Sequence, residues 1–347
     1  MKFYLLITYI LIVFLKTGTL LSENNLFNVN NIKLEKKGST TNNSLANIAI
    51  KEGFNQLINK ILLKEDIEKF SDLNLDSIKN LVTYYQITKL PEEKNNTEFV
   101  NFSVTFDKEK LHELFYKRSI SYSDIVDKEL YILPILLKEK EIYVFNNNFF
   151  YQNWNEIYQD KLIEFILPLE NIEIIQYINN NKNNLINLDL DILLKEYTNK
   201  NIAFILIDDN NINKKIYLKI KIQKKNISKG IDFKKKSLTP EEIYEHIIIT
   251  SKKEIINLVK SVNLIDIRTP AFLNIQLILN KNNNLVEFNN RIKNIDSIEN
   301  VYVQEVSKDY MNIKIKYLGK LDKIINQLKN NKIDLKFINE QWVIKNL

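Results

Sequence analysis

Residues 130–137 form the apolar run Leu130-Tyr131-Ile132-Leu133-Pro134-Ile135-Leu136-Leu137, and residues 203–207 form a second run, Ala203-Phe204-Ile205-Leu206-Ile207. Continuous apolar runs of this length are typical of strands that are covered on both faces. Segments with helical periodicity lie between the two runs, centred on Ile174 and on residues 188–197. Strands that alternate with helices predict a mixed α/β layer, which we assign to residues 127–236.

The chain before this layer has a different pattern. Apolar and polar residues alternate from Phe99 to Phe106, as expected of a strand with one buried face, and residues 82–87 supply a partner strand. A helix with an apolar stripe is predicted from Ser44, which is a plausible N-cap, and Asp107 is a plausible cap for a second helix. These elements predict an α+β domain over residues 26–126.

The C-terminal part begins with Thr239-Pro240-Glu241-Glu242, a capping box with proline at the first helical position. It predicts a connecting helix within residues 237–262. Strand and helix patterns then follow in the order β-α-β-β-α-β, which predicts a ferredoxin-like domain over residues 270–347, and Trp342 and Ile344 suggest one more short strand. The fold class predicted for the whole chain is α+β, with mixed α/β layers and this C-terminal domain.

The N-terminus carries an export signal. Met1-Lys2 is followed by an apolar run over residues 3–15, which is shorter than the about 20 residues needed to span a bilayer. We assign residues 1–22 to a signal peptide or an N-terminal membrane anchor, and the sequence leaves both alternatives open. Either one predicts a location in the periplasm or at the periplasmic face of the inner membrane.

The excess of lysine is explained by the codon composition of the gene. The chain has 46 Lys but only 3 Arg, together with 50 Asn and 54 Ile, a skew that AT-rich codons explain. Proteins that read nucleic acid rely on arginine for bidentate contacts, so we predict no nucleic-acid partner. The segment Lys214–Lys236 carries ten lysines against Asp232. It suggests weak contact with anionic lipid or polymer, although a solvated strand face plus a flexible loop is the favoured interpretation.

Several kinds of chemistry are excluded. The chain has no cysteine, and its five glycines are too scattered to cradle a phosphate. The common hydrolase, nucleotide-binding and zinc-protease motifs are missing. His112 and His246 lack a nucleophile or metal ligand at motif spacing, so each is interpreted as a partly exposed helix histidine. We therefore predict no catalytic, cofactor-binding or metal-binding residue, and no cofactor.

The remaining polar and aromatic clusters have structural explanations. Asp208 and Asp209 are expected to stabilise a turn, and Asp189, close to Asp191, to cap a helix. The aromatic residues between Phe145 and Tyr158 can line a ligand groove, although packing in a core is favoured. An RNA-binding interpretation of the C-terminal domain would need exposed aromatic residues on its central strands, for which Tyr302 and Tyr317 are the candidates.

Several segments spread along the chain share a pattern with known proteins: Val29-Asn30-Asn31-Ile32-Lys33-Leu34, the helix Ala46–Leu63, the strand Phe99–Phe106 with Asp107, Leu133-Pro134, Asn153-Trp154-Asn155, Leu167-Pro168-Leu169-Glu170-Asn171, Tyr317-Leu318-Gly319 and Trp342. Taken in order, these segments resemble a family of proteobacterial exported proteins of unknown function. The likeness covers nearly all of residues 26–347, with Glu170-Asn171 in place of the family's usual Gly-Asp. The resemblance implies a periplasmic or envelope protein with no established activity and no catalytic residues to transfer.

Two functions from different classes are compatible with the sequence. The favoured one is a non-catalytic envelope protein that acts as a protein–protein interaction or assembly factor, with other envelope proteins as its partners. The alternative is a carboxylate-dependent hydrolase or a carbohydrate-binding protein that acts on a cell-envelope polymer. Two close carboxylates in a deep pocket would favour the enzyme, so the sequence by itself favours the non-enzymatic protein without excluding the other.

Overall fold

A computed structural model describes residues 26–36, 40–89, 98–125, 127–158, 162–210, 214–233, 239–279, 285–338 and 340–344. Helices and strands combine in mixed sheets, so the fold is α+β, as predicted. The chain divides into two compact units. The discontinuous unit combines the residues before Ser123 with those from Ile265 onward, and the middle unit is Ser123–Leu264.

The strands of the described residues are β1 (Asn28–Lys36), β2 (Val82–Lys89), β3 (Glu98–Phe106), β4 (Tyr122–Ser123), β5 (Glu129–Lys138), β6 (Glu141–Tyr143), β7 (Glu164–Ile166), β8 (Ile202–Asp208), β9 (Lys214–Ile222), β10 (Lys225–Phe233), β11 (Leu264–Ile265), β12 (Ala271–Ile278), β13 (Ile298–Val306), β14 (Tyr310–Tyr317), β15 (Leu335–Ile338) and β16 (Gln341–Ile344). The α-helices are α1 (Asn42–Ile61), α2 (Lys64–Ile67), α3 (Leu75–Asn80), α4 (Lys108–Lys117), α5 (Phe149–Asn153), α6 (Ile172–Asn180), α7 (Leu190–Leu193), α8 (Pro240–Val262), α9 (Leu285–Ile292) and α10 (Leu321–Asn330). Short 3₁₀ helices cover Glu68–Phe70, Lys182–Asn187 and Lys195–Tyr197.

The N-terminal part of the discontinuous unit is a three-stranded antiparallel sheet in the order β1-β3-β2. Helix α1 packs on one face of this sheet, where Gly53 permits a close approach. A Cβ atom at Gly53 would lie 3.0 Å from Ile32 of β1 and 3.5 Å from Val104 of β3. The helix therefore covers β1 and β3 closely.

Helix α1 begins two residues before the predicted start. Its N-cap is Thr41, which has an extended backbone and accepts a hydrogen bond from the Ser44 backbone N–H at 3.2 Å. The predicted cap, Ser44, is therefore the donor to the cap, and that prediction is wrong. The predicted cap of α4 is confirmed, because the Asp107 carboxylate accepts from the backbone N–H groups of Glu109 and Lys110.

The C-terminal part of the same unit contains the predicted β-α-β-β-α-β order in β12 to β15, with helices α9 and α10. The five strands lie in the order β13-β14-β12-β16-β15. The additional strand β16, expected around Trp342, pairs in parallel with β12 and antiparallel with β15. It thus lies between β12 and β15, which would be neighbours in a four-stranded ferredoxin-like sheet.

The middle unit is built on the sheet β10-β9-β8-β5-β6, and β7 also pairs with β5. Strands β5 and β8 are parallel, and the two apolar runs that form them are covered on both faces, as predicted. Ile132 and Ile205 belong to a core that includes α8, whereas Leu133 and Phe204 belong to a separate core on the opposite face. Each apolar run therefore supplies two hydrophobic cores with alternate residues.

Helix α8 follows its sequence signal closely. The Thr239 side chain accepts from the Glu242 backbone N–H, and the Glu242 carboxylate accepts from the Thr239 N–H, so the capping box is confirmed. The helix ends at Val262 as expected. Ile247, Ile255 and Val259 are buried in the core of the middle unit, so α8 is an integral part of that core.

The lysine-rich segment is more ordered than predicted. Residues 225–233 form the edge strand β10, which pairs antiparallel with β9 throughout, so interpreting this half of the segment as a flexible loop is wrong. The connecting residues Gln223 and Lys224 have φ values of 48° and 66°, as in the mirror-image turns of tight hairpins. The sequence gives no clear signal for this turn, because such positions usually carry Asn or Gly and here carry Gln and Lys.

Among the described residues, no helix combines the length and the apolar character that a membrane crossing requires. The predicted signal peptide or anchor at residues 1–22 lies outside the described residues.

Candidate functional site

His112 lies in a buried cluster of the discontinuous unit. Only 9% of its surface is exposed, so the expectation of a partly exposed histidine is wrong at this position. The imidazole stacks on Tyr122 of β4, with ring centroids 5.3 Å apart, and Nε2 lies 3.2 Å from the Tyr122 hydroxyl. His246, by contrast, is half-buried on α8, consistent with its predicted environment.

The other imidazole nitrogen faces a carboxylate. Nδ1 of His112 lies 3.1 Å from Oε1 of Glu299 on β13, and the Lys108 ammonium lies 3.7 Å from the same oxygen. The hydrogen bond from His112 holds the pKa of Glu299 below its usual value, partial burial acts against this shift, and the nearby lysine charges support it. Glu299 is therefore held in its charged form.

This cluster joins α4 to the C-terminal sheet. Lys108 also donates to the Ile298 backbone carbonyl at 2.8 Å, and the Leu26 backbone N–H donates to Asp296 at 3.1 Å. Both ring nitrogens of His112 are occupied by protein groups, so neither is available to a substrate. The arrangement explains a stable junction between α4 and the C-terminal sheet.

The aspartates singled out in the sequence perform local structural roles. Asp189 accepts from the Asp191 backbone N–H at the start of α7, which confirms it as a cap. Asp208 accepts from the Asn210 backbone N–H in the turn after β8. Asp209 is paired with Lys214 and accepts from the Tyr244 hydroxyl, and burial together with this carboxylate raises the pKa of Tyr244. Within the described ranges, no group of three or more His, Asp or Glu side chains is arranged to hold a metal ion.

The aromatic residues of 145–158 pack mainly in cores, as the favoured interpretation predicted. Phe145, Phe150 and Trp154 are buried, the first in one core of the middle unit and the other two in the opposite core. Buried Asn148 organises the turn between them by donating to the carbonyl of Pro134 at 2.8 Å. These rings therefore do not line an open ligand site.

A small cleft in the middle unit brings together two carboxylates that the sequence did not single out. Glu173 of α6 and Glu196 line a space of about 130 Å³ together with Tyr177 and Tyr197. Glu173 forms an ion pair with Lys195, which also lines the cleft. The space is smaller than the roughly 300–1,000 Å³ of typical ligand pockets. It is therefore a small surface cleft in which one of the two carboxylates is paired with a lysine.

Most described lysines of the 214–236 segment already have partners. Lys214 pairs with Asp209, Lys221 with Asp191 at 2.5 Å, and Lys229 with Glu254, while Lys219 donates to the Leu188 carbonyl at 2.7 Å. The exposed lysines without an ion pair among the described residues of this segment are Lys215, Lys224 and Lys225. The uncompensated charge is therefore concentrated near the ends of the β9–β10 hairpin.

The candidates for base stacking on the C-terminal sheet differ in exposure. Tyr302 on β13 is exposed, but Tyr317 on β14 is only 4% exposed and belongs to the core beneath the sheet. Tyr317 is therefore not available for base stacking, and the predicted pair of Tyr302 and Tyr317 does not form an exposed platform.

A groove in the discontinuous unit lies between α1 and β2. We call it the α1–β2 groove, and its volume is about 720 Å³. Its floor includes the buried residues Ala46 and Ile50 of α1. The residues that line it are Asn43, Ala46, Asn47 and Ile50 of α1, Lys79 of α3, and Val82, Thr83, Tyr84 and Tyr85 of β2.

The groove exists because α1 does not cover β2. Tyr85 and Ile87 pair with Val104 and Phe102 of β3, and paired residues share a face of the sheet. Val104 and Phe102 are fully buried beneath α1, whereas Tyr85 and Ile87 are 41% and 39% exposed. The apolar face of the sheet thus continues one strand beyond the helix that covers it.

Electrostatically, the groove is simple. Lys79 is the one charged residue among the described residues that line it, and no carboxylate of the described chain forms an ion pair with it. Sequence analysis predicted the strand at residues 82–87 but not this surface. The adjacent pair Tyr84-Tyr85, which lacks the strict alternation of β3, was the available signal of an exposed edge.

The resemblance to exported proteins is one of short sequence segments. Comparison of the whole chain with protein-family models, with curated proteins and with solved structures finds no match.

Proposed function

We propose that this protein is a non-catalytic factor of the cell envelope, exported to the periplasm or to the periplasmic face of the inner membrane. It acts by protein–protein contact, and the α1–β2 groove is its docking surface. The N-terminal apolar segment and the resemblance to exported proteins support the location. The proposal therefore combines an export hypothesis with a binding hypothesis, and each has its own test.

The observation that carries the binding hypothesis is the exposed apolar face of β2. Tyr85 and Ile87 remain about two-fifths exposed although their neighbours on β3 are buried. A large groove with an apolar floor beside such a strand has the properties of a protein-binding site. The other described clusters are either buried, as at His112, or neutralised internally, as at Lys221.

Site-specific crosslinking tests the binding hypothesis. A photoreactive phenylalanine analogue replaces Tyr85 in the groove, and in a matched control it replaces Tyr116, which is 61% exposed on α4 and lies outside the groove. In cells, the first variant is expected to form a discrete adduct with one envelope protein, and the control is not. Equal adducts from both positions, or none from either, would contradict the proposal.

Fractionation and mass measurement test the export hypothesis. Envelope or periplasmic fractions are expected to contain the protein, and the intact mass distinguishes a cleaved signal peptide from a retained anchor. Recovery of the full-length chain in the cytosolic fraction would contradict export. This result would leave the crosslinking test of the groove unaffected.

The alternative function is a hydrolase or carbohydrate-binding protein for an envelope polymer. The observation that favours it is the presence of Glu173 and Glu196 in one cleft. Against it stand the small volume of the cleft and the ion pair between Glu173 and Lys195. Turnover of a cell-wall polymer that is abolished by both Glu173→Gln and Glu196→Gln would favour this alternative over the binding protein.

Two finer assignments belong to the same proposal. We infer that the C-terminal sheet is a ferredoxin-like fold extended by β16, an inference supported by the β-α-β-β-α-β order of its other elements.

Weak contact with anionic lipid or polymer is restricted to Lys215, Lys224, Lys225 and the remaining lysines at 234–236, which lie outside the described residues. Nucleic acid is not among the proposed partners, because arginine is scarce.

A further inference from the structure

We propose that the α1–β2 groove binds an extended peptide segment of its partner, which adds to β2 as a fourth strand. The segment presents apolar side chains to the floor of the groove and an acidic side chain to Lys79. This inference rests on the proposed function and specifies the chemistry of the partner. It combines three independent features of the groove: an unpaired strand edge, an apolar floor and a single cation.

The first feature is the free edge of β2. In the order β1-β3-β2, strand β2 pairs with β3 on one side, and no other strand of the described residues pairs with its second edge. Alternate residues of an edge strand direct their backbone N–H and C=O groups away from the sheet. These groups can form a ladder with an added strand, which is the usual way for a sheet edge to bind an extended peptide.

The second feature is the apolar surface that continues beyond the edge. Ala46 and Ile50 lie one helical turn apart on α1 and are both nearly fully buried, so they form a firm floor. Tyr85 and Ile87 lie two residues apart on β2 and project from the same face of the sheet. An added strand that repeats this two-residue period would place every second side chain over the floor.

The third feature is Lys79, which lies three positions before the first residue of β2. Lys79 is the one charged residue among the described residues that line the groove, and its ammonium forms no ion pair with a described carboxylate. A chain terminus is usually held by free backbone N–H groups. The nearby Leu81 N–H already donates to the carbonyls of Ile78 and Lys79, so it cannot serve a terminal carboxylate. The complementary group is therefore an acidic side chain.

Selection from a library of random short peptides tests this proposal with the full-length chain. The wild-type protein is expected to enrich peptides in which alternating apolar residues are flanked by Asp or Glu. The Lys79→Glu variant is expected to lose this acidic preference and to favour Lys or Arg. The matched control Lys329→Glu reverses an exposed charge on α10, remote from the groove lining, and is expected to keep the wild-type preference.

Affinity measurements on the best acidic peptide quantify the charge contribution. Lys79→Glu is expected to raise the dissociation constant about fivefold or more. The reason is that the attraction between Lys79 and the acidic side chain of the peptide becomes a repulsion between two carboxylates. The melting temperature of each variant is compared with wild type, so that loss of folding is not mistaken for loss of binding. Equal affinity of the wild type and Lys79→Glu for this peptide would overturn the role of Lys79.

Backbone methylation tests the added strand. Two forms of the same peptide carry N-methyl groups on the odd or on the even residues, so that each blocks the N–H groups of one edge. A peptide that adds to β2 is expected to lose binding in one form and keep it in the other. Loss of binding in both forms would indicate a docked helix and would overturn strand addition.

The remaining outcomes separate this inference from the function on which it rests. A discrete partner adduct at Tyr85 with no acidic or alternating preference would overturn the inference and leave the binding function intact. No adduct at Tyr85 would contradict the function itself. An adduct between two copies of this chain would identify a second copy as the occupant and would likewise overturn the inference.

Discussion

Asn148 is fully buried, and its side chain forms hydrogen bonds with several backbone groups around it. Its Nδ2 donates to the carbonyls of Pro134, Tyr143 and Val144, and its Oδ1 accepts from the Phe150 N–H at 3.0 Å. We expect Asn148→Ala to lower the free energy of unfolding by about 2–4 kcal/mol, because several buried groups lose their partners.

Asn147 provides the control for this prediction, since it is exposed in the same run of asparagines. Asn147→Ala is expected to change the free energy of unfolding by less than about 0.5 kcal/mol. Urea unfolding of both variants measures the difference. Similar values for the two positions would show that the buried hydrogen bonds of Asn148 contribute little.

Glu299 makes the fold sensitive to acid. Its pKa in the folded protein lies below the ordinary value of 4.5, chiefly because His112 donates to it. A lowered carboxylate pKa adds stability at pH values above 4.5, and this stability is lost as the pH falls through the lowered pKa. We therefore expect Glu299→Gln to be less stable than wild type near neutral pH and to lose less stability on acidification.

Thermal unfolding as a function of pH measures this effect. The variant His112→Phe keeps an aromatic ring but removes the donor, so it is expected to reduce the same pH dependence. The double variant is expected to show little more change than Glu299→Gln alone, because the two residues act as a pair. Additive changes in the pH dependence would argue against this coupling.

At the scale of elements, two hydroxyl residues near the start of α1 have different roles, although both are residue types that commonly cap helices. Thr41 caps the helix through its side chain, whereas Ser44 contributes its backbone N–H. We expect Thr41→Ala to lower the free energy of unfolding by about 1 kcal/mol and Ser44→Ala to have a clearly smaller effect. Urea unfolding measures the loss of stability in both variants. A larger loss for Ser44→Ala than for Thr41→Ala would show that Thr41 is not the main cap of α1.

At the scale of the whole molecule, the discontinuous unit makes the N-terminal part depend on the C-terminal part. Ile265 and Leu318 are buried in the same core as α1 and β3. A fragment of residues 26–122 lacks both side chains, each of which contributes about 1.5–3 kcal/mol of burial. We expect this fragment to lack a cooperative unfolding transition, whereas a fragment of residues 123–264 has one.

Circular dichroism melts of the separate fragments test this dependence. A chain in which a flexible linker joins residues 26–122 directly to 265–347 serves as the control and is expected to restore cooperative unfolding. Cooperative unfolding of the 26–122 fragment alone would show that its core is sufficient without Ile265 and Leu318.

Much of the local structure follows from short-range signals in the amino-acid sequence. Thr239 and Glu242 specify the start of α8 through contacts three residues apart, and the apolar runs of β5 and β8 specify buried strands through their composition. The alternation in β3 likewise specifies one buried face. These signals are readable because the interactions involved are short in sequence or depend on hydrophobicity alone.

The environments that depend on distant residues arise from the folded arrangement of the chain and have no local sequence signal. His112 is buried because Glu299, far along the chain, folds against it, and Asn148 differs from Asn147 because Pro134 lies beside it. The exposure of Tyr85 depends on where α1 lies across the sheet, and Gly53 permits the close approach of α1 to β1 and β3. Burial and charge pairing are properties of the space around a side chain, which sequence neighbours do not define.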